Sequence, residues 1–403
     1  MKRRAFLVAA SILPLFVAPK TFAKKKAAPP KKAKKPAAGK SGPKPSTPPQ
    51  TTANNSVLKA AHPGSSATRL PPVKAPTLPA QWQTFAVTTT VRLSPSQDRQ
   101  RVWLPLPLNQ DTLYQRNLGC AWQGNFEQGR LRRLPDGELE AFYCEWSPNV
   151  APQLEITATL ATADRQFDVS RRSLPPERDD ILNRALQSTR QIPNADGAYA
   201  LALKIVGRIV DPVAQARALF DWIVEHAGYD ASLPACGNGD VRQQLETQRF
   251  GGRSADINGL FVALCRAIGI PARRVFGQRI APSLTTDCLG IQADATHAAH
   301  CRAEFYIPGY SWIPANPSDV CRAIALESLS AENSKRMALR RILFGVWEMN
   351  WMAYNTSEEV SLPDGPALPF FTFPYLERAE GNLDGRNPEG FEYRMESRRI
   401  ASG

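Results

Sequence analysis

The chain has 403 residues, 43% of them hydrophobic, with 50 basic and 37 acidic side chains. That is too long for one minimal domain and apolar enough to bury a core. Its net charge of +13 is uneven: residues 1–50 hold 13 basic and no acidic residues, leaving 37 of each sign in the rest, so a basic-face argument for specific nucleic-acid binding is excluded for the folded part.

Residues 1–23 read MKRRAFLVAASILPLFVAPKTFA. Arg3-Arg4 precede Phe6-Leu7, an apolar run follows to Ala18, and Thr21 and Ala23 are the small residues of a cleavage site. This pattern predicts an export signal of the twin-arginine kind, with an ordinary Sec signal as the alternative, and a periplasmic or otherwise exported protein. The apolar run is too short for a permanent membrane anchor. Residues 24–80 are rich in Lys, Pro and Ala and nearly free of large apolar side chains. They predict a disordered linker whose charge suits an anionic envelope surface.

Residues 81–165 predict an antiparallel β domain. Phe85, Val87, Thr89, Val91 and Leu93 alternate, as do Leu154, Ile156, Ala158 and Leu160, with VWLPLPL (102–108) and AFYCEW (141–146) between them. Cys120 and Cys144 are the best disulfide pair in an exported chain of seven cysteines. Residues 166–380 form a second domain, opening on a connector from Phe167 to Asp196, and residues 381–403 a C-terminal tail. Asp211-Pro212 is a cap and first-turn proline, and Val213, Ala216, Phe220, Ile223 and Val224 line one face of the helix that follows.

The chemistry-bearing stretch is Gly251 to Gly277. Ile257, Leu260, Phe261, Leu264, Cys265 and Ile268 keep a helical rhythm after Ser254, and Gly269 stops it. Ser254 thus opens a helix, either as its N-cap or as a nucleophile where free N–H groups and the helix dipole favour negative charge. His300 to Ile307 alternates strictly, and Pro308-Gly309 turns the chain into a second strand ending at Asn316-Pro317. A tight hairpin there sets His300 opposite Asn316 or its immediate neighbour. His300 becomes the candidate base, within about 4 Å of Ser254, and Asn316 the group accepting its second N–H. Trp347, Met349, Trp351 and Ala353 alternate along a strand that could wall a groove, and the loop at Cys236 could shape its mouth. Metal is not expected: only His297 and His300 lie near the site and no Cys-x-x-Cys occurs. No cofactor is expected either.

GGRSADIN (251–258), GIPARRVFG (269–277) and HCRAEFYIPGYSWIPANP (300–317) together resemble the transglutaminase-like superfamily of papain-like fold, most densely over Tyr229 to Val320. The WLPLP segment is also similar to the N-terminal region of bacterial members. The resemblance implies an α+β protein: an N-terminal antiparallel β domain, then a papain-like core with a helix packed on an antiparallel sheet. It implies amide hydrolysis or acyl transfer by Ser254, His300 and Asn316. It also sets Ser254 where the family's Cys nucleophile stands and Asn316 where an Asp orients the base. A hydroxyl cannot be ionised in advance as a thiol can, so a weakened or inactive enzyme is expected. The alternative is a pseudoenzyme binding peptide-like or cell-envelope ligands. Trp312, Trp347, Trp351 and Cys236 are the candidate substrate-binding residues, and Cys236 or Cys301 would be the replacement nucleophile.

Overall fold

The alternation at Phe85 and at Leu154 becomes two long neighbouring strands. The computed structural model describes residues 82–135, 139–167, 175–363, 365–386 and 391–400, and the expected export signal and linker lie outside them. Six strands come first: β1 (Gln83–Arg92), β2 (Gln100–Pro105), β3 (Gln115–Gly124), β4 (Gln128–Arg133), β5 (Glu140–Trp146) and β6 (Gln153–Thr162). Helices α1 (Asp179–Arg184), α2 (Gly197–Val206), α3 (Pro212–His226), α4 (Val241–Thr247) and α5 (Ser254–Ala267) follow. Then come β7 (Ala272–Arg279), β8 (Ala299–Ile307), β9 (Ser311–Ala315), α6 (Pro317–Glu327), α7 (Ser334–Ile342), β10 (Trp351–Asn355), β11 (Tyr375–Glu377) and β12 (Tyr393–Ile400).

Two antiparallel sheets, β12-β1-β6-β3 and β11-β2-β5-β4, bury Val91, Ile156, Phe142 and Trp146 in one cluster. β12 lies in the segment read as a C-terminal tail, and it pairs with β1 from Thr84↔Ile400 to Val91↔Tyr393. Only Met395 and Ser397 of β12 are buried, against exposed Arg394, Glu396 and Arg398. That charged outward face disguised a strand of period two. All seven cysteines are free thiols. The expected Cys120–Cys144 bridge is not formed, because the two residues sit on different sheets.

The central helix α5 is buried at 13 of its 14 residues, Ser254 through Arg266. Leu260, Phe261 and Leu264 pack with Ala303, Phe305 and Ile313 of β8 and β9. Each such side chain contributes roughly 1.5–3 kcal/mol on burial, so packing holds this helix. Gly269 takes φ +83° past its C-terminus, the left-handed stop the sequence promised. Asp211 caps α3 by accepting Ala214 N at 2.7 Å. The papain-like sheet runs β9-β8-β7-β10, all antiparallel, with all nine residues of β8 buried. Phe85, Val87 and Met395 pack on Ile280, Met352 and Tyr354, so the first sheet sits directly against this core. The connector read between Phe167 and Asp196 contains α1.

Gly277 pairs with His300 at an irregularity between β7 and β10. A Cβ there would lie 2.1 Å from the Met352 carbonyl oxygen and 2.6 Å from the Trp351 ring. Gly277→Ala should therefore lower stability by about 1–3 kcal/mol through backbone displacement. An unchanged urea midpoint would show that β10 yields freely at this point.

Candidate functional site

The site is built where α5 starts. Gly228–Tyr229 pairs in parallel with Gly251–Gly252. Gly251 and Gly252 have φ of +143° and +124°, values that L side chains avoid. The chain then enters the helix through Arg253, the N-cap, whose N–H is accepted by the Asp256 carboxylate at 2.8 Å. Ser254 is the first helical residue and not the cap. Its Oγ accepts a hydrogen bond from the Cys301 backbone N–H at 3.0 Å.

Strand alternation explains that contact. Ala303, Phe305 and Ile307 of β8 share the apolar cluster of α5, and Cys301 packs on Ala255. His300, Arg302 and Glu304 alternate with them onto the other side of the sheet. The helix start therefore meets the backbone at Cys301. No hydrogen bond joins Ser254 to His300 among the described residues. Ser254 and His300, 6% and 4% exposed, nonetheless line one cavity of about 310 Å³.

The hairpin register also differs from expectation. Pairing runs from Ile307↔Ser311 to Ala303↔Ala315, which places position 318, not 316, opposite His300. At Asn316 the chain turns into α6, with Asn316 as N-cap and Pro317 in the first turn. Asn316 Oδ1 accepts from Ser318 Oγ (2.8 Å), Asn258 Nδ2 (3.2 Å) and Asp319 N (3.3 Å). Its acceptor is fully engaged, so it cannot take a proton from imidazole. Its Nδ2 lies 3.3 Å from His300 Nε2 and makes a shorter bond, 2.7 Å, to Asp319 Oδ2.

Asp319 is the residue the sequence reading missed. Its Oδ1 lies 3.4 Å from His300 Nε2 and 2.5 Å from Arg279 Nη2. Arg279 Nη2 also lies 3.2 Å from His300 Nδ1. A guanidinium only donates, and the amide nitrogen of Asn316 at Nε2 is a donor as well, so donor groups face both ring nitrogens. Asn316 therefore reaches the ring as expected, though with its amide nitrogen, and Asp319 adds a carboxylate beside the same ring nitrogen. The available signal was the N-cap and N3 spacing of Asn316 and Asp319, which puts both on one helix start. Burial, and then the Arg279 charge, push His300 down to about 3. Burial would raise the Asp319 carboxyl, but Arg279, His300 and Arg302 outweigh it and hold it well below the usual carboxylate range. A neutral imidazole therefore sits between a carboxylate and a guanidinium.

The remaining predicted residues lie elsewhere. Trp347 and Trp351 are fully buried, 5.8 Å apart edge to face, and packed with Tyr114 and Val275. Tyr114 belongs to the β domain, which covers the sheet face where a groove was expected. Trp312 packs on Tyr306 and lies 3.8 Å under the Arg273 guanidinium. None of the three lines the cavity. Cys236 is buried against Ala255 and Phe276, and burial, with Asp256 nearby, pushes its thiol up to about 12. Burial raises Cys301 well above the ordinary thiol value. Both thiols are buried and neither lines the cavity, which argues against either as a replacement nucleophile. Among the described residues no cluster of His, Cys, Asp and Glu could hold a metal ion.

The family model described as the transglutaminase-like superfamily matches residues 199–317. A Haemophilus influenzae protein described as uncharacterized is 30% identical over 328 residues, 76% of this chain and 88% of that protein. A solved structure of a candidate cysteine protease from Cytophaga hutchinsonii gives a TM-score of 0.51 at 17% identity, covering 80% of this chain and 93% of that one. It shares the fold. The periplasmic domain of TgpA from Pseudomonas aeruginosa gives a TM-score of 0.31 at 17% identity, covering 65% of this chain and 91% of that one.

An unfolded histidine titrates near 6.5, whereas folded His300 stays neutral down to about 3. The unfolded chain therefore binds the extra proton in that window. The stability His300 permits is full above pH 6.5 and falls as pH drops through the window. Wild type should lose stability faster than His300→Gln between pH 6.5 and 4, by on the order of 1 kcal/mol per pH unit. Parallel stability–pH curves from urea unfolding would show that His300 accepts a proton in the folded state.

Proposed function

The chain belongs to the transglutaminase-like superfamily, and on that premise we propose that it is an exported member whose site holds a peptide-like or cell-envelope ligand without acyl transfer. One observation carries this reading: Arg279 Nη2 lies 3.2 Å from His300 Nδ1 and Asn316 Nδ2 3.3 Å from Nε2, while Ser254 Oγ is bonded to the Cys301 N–H. A serine hydroxyl needs a base to take its proton during attack. Here the candidate base is neutral with a protein donor at each ring nitrogen, and protonating it would set a second cation beside Arg279. Ser254 occupies the position that the resemblance gives to a Cys nucleophile, where a thiolate would need no such step.

A weakened serine hydrolase is the second reading. It is favoured by Ser254 and His300 sharing one cavity with Asp319 behind the ring. Export rests on the MKRRAFL start and on the apolar run that follows. Among the described residues no helix is long and apolar enough to cross a membrane.

Three measurements test these readings and the basic segment. Wild type should remain unlabelled by a fluorophosphonate, and Ser254→Cys should react with iodoacetamide near neutral pH faster than the seven native thiols. Helix start, Cys301 N–H and Arg279 all favour a thiolate there. Labelling of wild type at Ser254 would establish the hydrolase instead. Removing residues 24–80 should reduce sedimentation with anionic phosphatidylglycerol vesicles in a salt-dependent way. Equal sedimentation of both proteins would end the proposed envelope contact.

A further inference from the structure

The cavity beside Ser254 carries two arginines that neither the site chemistry nor an ion pair uses. Arg253 is the N-cap of α5, and Arg322 lies on α6; both line the cavity with Tyr229 between them. Their guanidinium carbons lie 5.3 and 5.4 Å from the Tyr229 ring centroid. The parallel pairing of Gly228–Tyr229 with Gly251–Gly252, and the Asp230 N to Gly252 O bond at 2.9 Å, fix that ring next to Arg253.

The protein contacts of these arginines are neutral. Arg253 Nη1 donates to Ala231 O at 3.0 Å. Arg322 donates through Nε to Cys288 O at 2.7 Å and through Nη1 to the Tyr229 hydroxyl. Neither forms an ion pair within 4 Å among the described residues. The other charges of the cavity are committed. Arg279 and Asp319 pair with each other, and Asp294 accepts from Thr296 N and Oγ1. Asp230 accepts from Ser232 Oγ and N, and these bonds, with the Arg253 charge after them, lower its carboxyl. Arg253 Nε and Nη2 and Arg322 Nη2 remain as donors, and the positive end of the 14-residue α5 opens into the same space.

We infer that this cavity takes the carboxylate of a peptide, held by Arg253 and Arg322 with Tyr229 as the floor between them. Guanidinium forks held beside an aromatic ring suit a planar carboxylate, and neither fork is in an ion pair among the described residues. The cavity, about 310 Å³, admits a short peptide end or an acidic side chain. Both sources share one chemistry. The inference rests on the ligand-holding reading of the site and gives it a ligand class.

The test is calorimetric titration of the full chain with three peptides: N-acetyl-Ala-Ala-Ala with a free C-terminus, its C-terminal amide, and N-acetyl-Ala-Glu-Ala-amide. At least one carboxylate peptide should bind at least about tenfold more tightly than the neutral amide. The free-acid and glutamate arms identify the source. Arg253→Gln and Arg322→Gln should each weaken that binding at least about tenfold, and the Lys variants should recover part of it, because charge returns without the fork. Thermal unfolding confirms that the variants are folded. Carboxylate peptides that bind no better than the amide, or not at all, overturn the inference, as does full affinity in folded Gln variants. Fluorophosphonate labelling of Ser254 with the arginine dependence intact would overturn the non-catalytic reading and leave the carboxylate site standing.

Discussion

One buried side chain sets the positions on which the site depends. Asn258, fully buried in α5, donates to Cys301 O at 2.7 Å, Ser318 Oγ at 2.9 Å and Asn316 Oδ1 at 3.2 Å. Its own oxygen accepts the Ser318 N–H at 3.2 Å. The central helix, the central strand and the start of α6 are thereby tied through a single amide. Ser254 lies one turn before Asn258 on the same helical face. His300 and Asp319 are chain neighbours of residues that the amide holds. Leaving such buried polar groups unpaired costs about 1–3 kcal/mol each, so the three elements settle into one relative arrangement or lose several bonds together.

Around that amide the charges are arranged in buried groups. Glu304 is held between Arg165 and Arg273, and Glu358 between Arg274 and Arg266. Buried ion pairs roughly break even against desolvation. Their evident effect here is placement: Glu304 fastens β8 to the strand that precedes it and to the segment leading out of the β domain. Arg279 and Asp319 belong to the same class of structure, but His300 stands between them. The residue with the clearest chemical potential in the sequence is thus built into an electrostatic cluster that keeps its ring neutral.

Much of this was legible in the residues. The helix from Ser254, the Gly269 stop, the His300 strand and the β domain all follow from short-range periodicity, which the tertiary structure did not override. What failed was of longer range. A shift of two residues in the hairpin depends on where the turn residues relax, and it makes Asn316 the cap of α6, still beside His300 but not its strand partner. Asp319 was hidden because a strand-and-turn reading stops at Pro317, two residues short of the carboxylate. Trp347 and Trp351 look alike whether they wall a groove or fill a core. The difference is Tyr114, which arrives from more than two hundred residues earlier in the chain.

The pairing of β12 with β1 joins residues near 84 to residues near 400. During synthesis, β1 therefore has its β6 neighbour early but lacks its other partner until almost the whole chain has emerged. Closing so long a loop is entropically slow, and meanwhile an open strand edge is exposed to other chains. Completion of the sheet is a late event for this molecule. A truncated or prematurely released chain would present the same β1 edge permanently, as a template for intermolecular association.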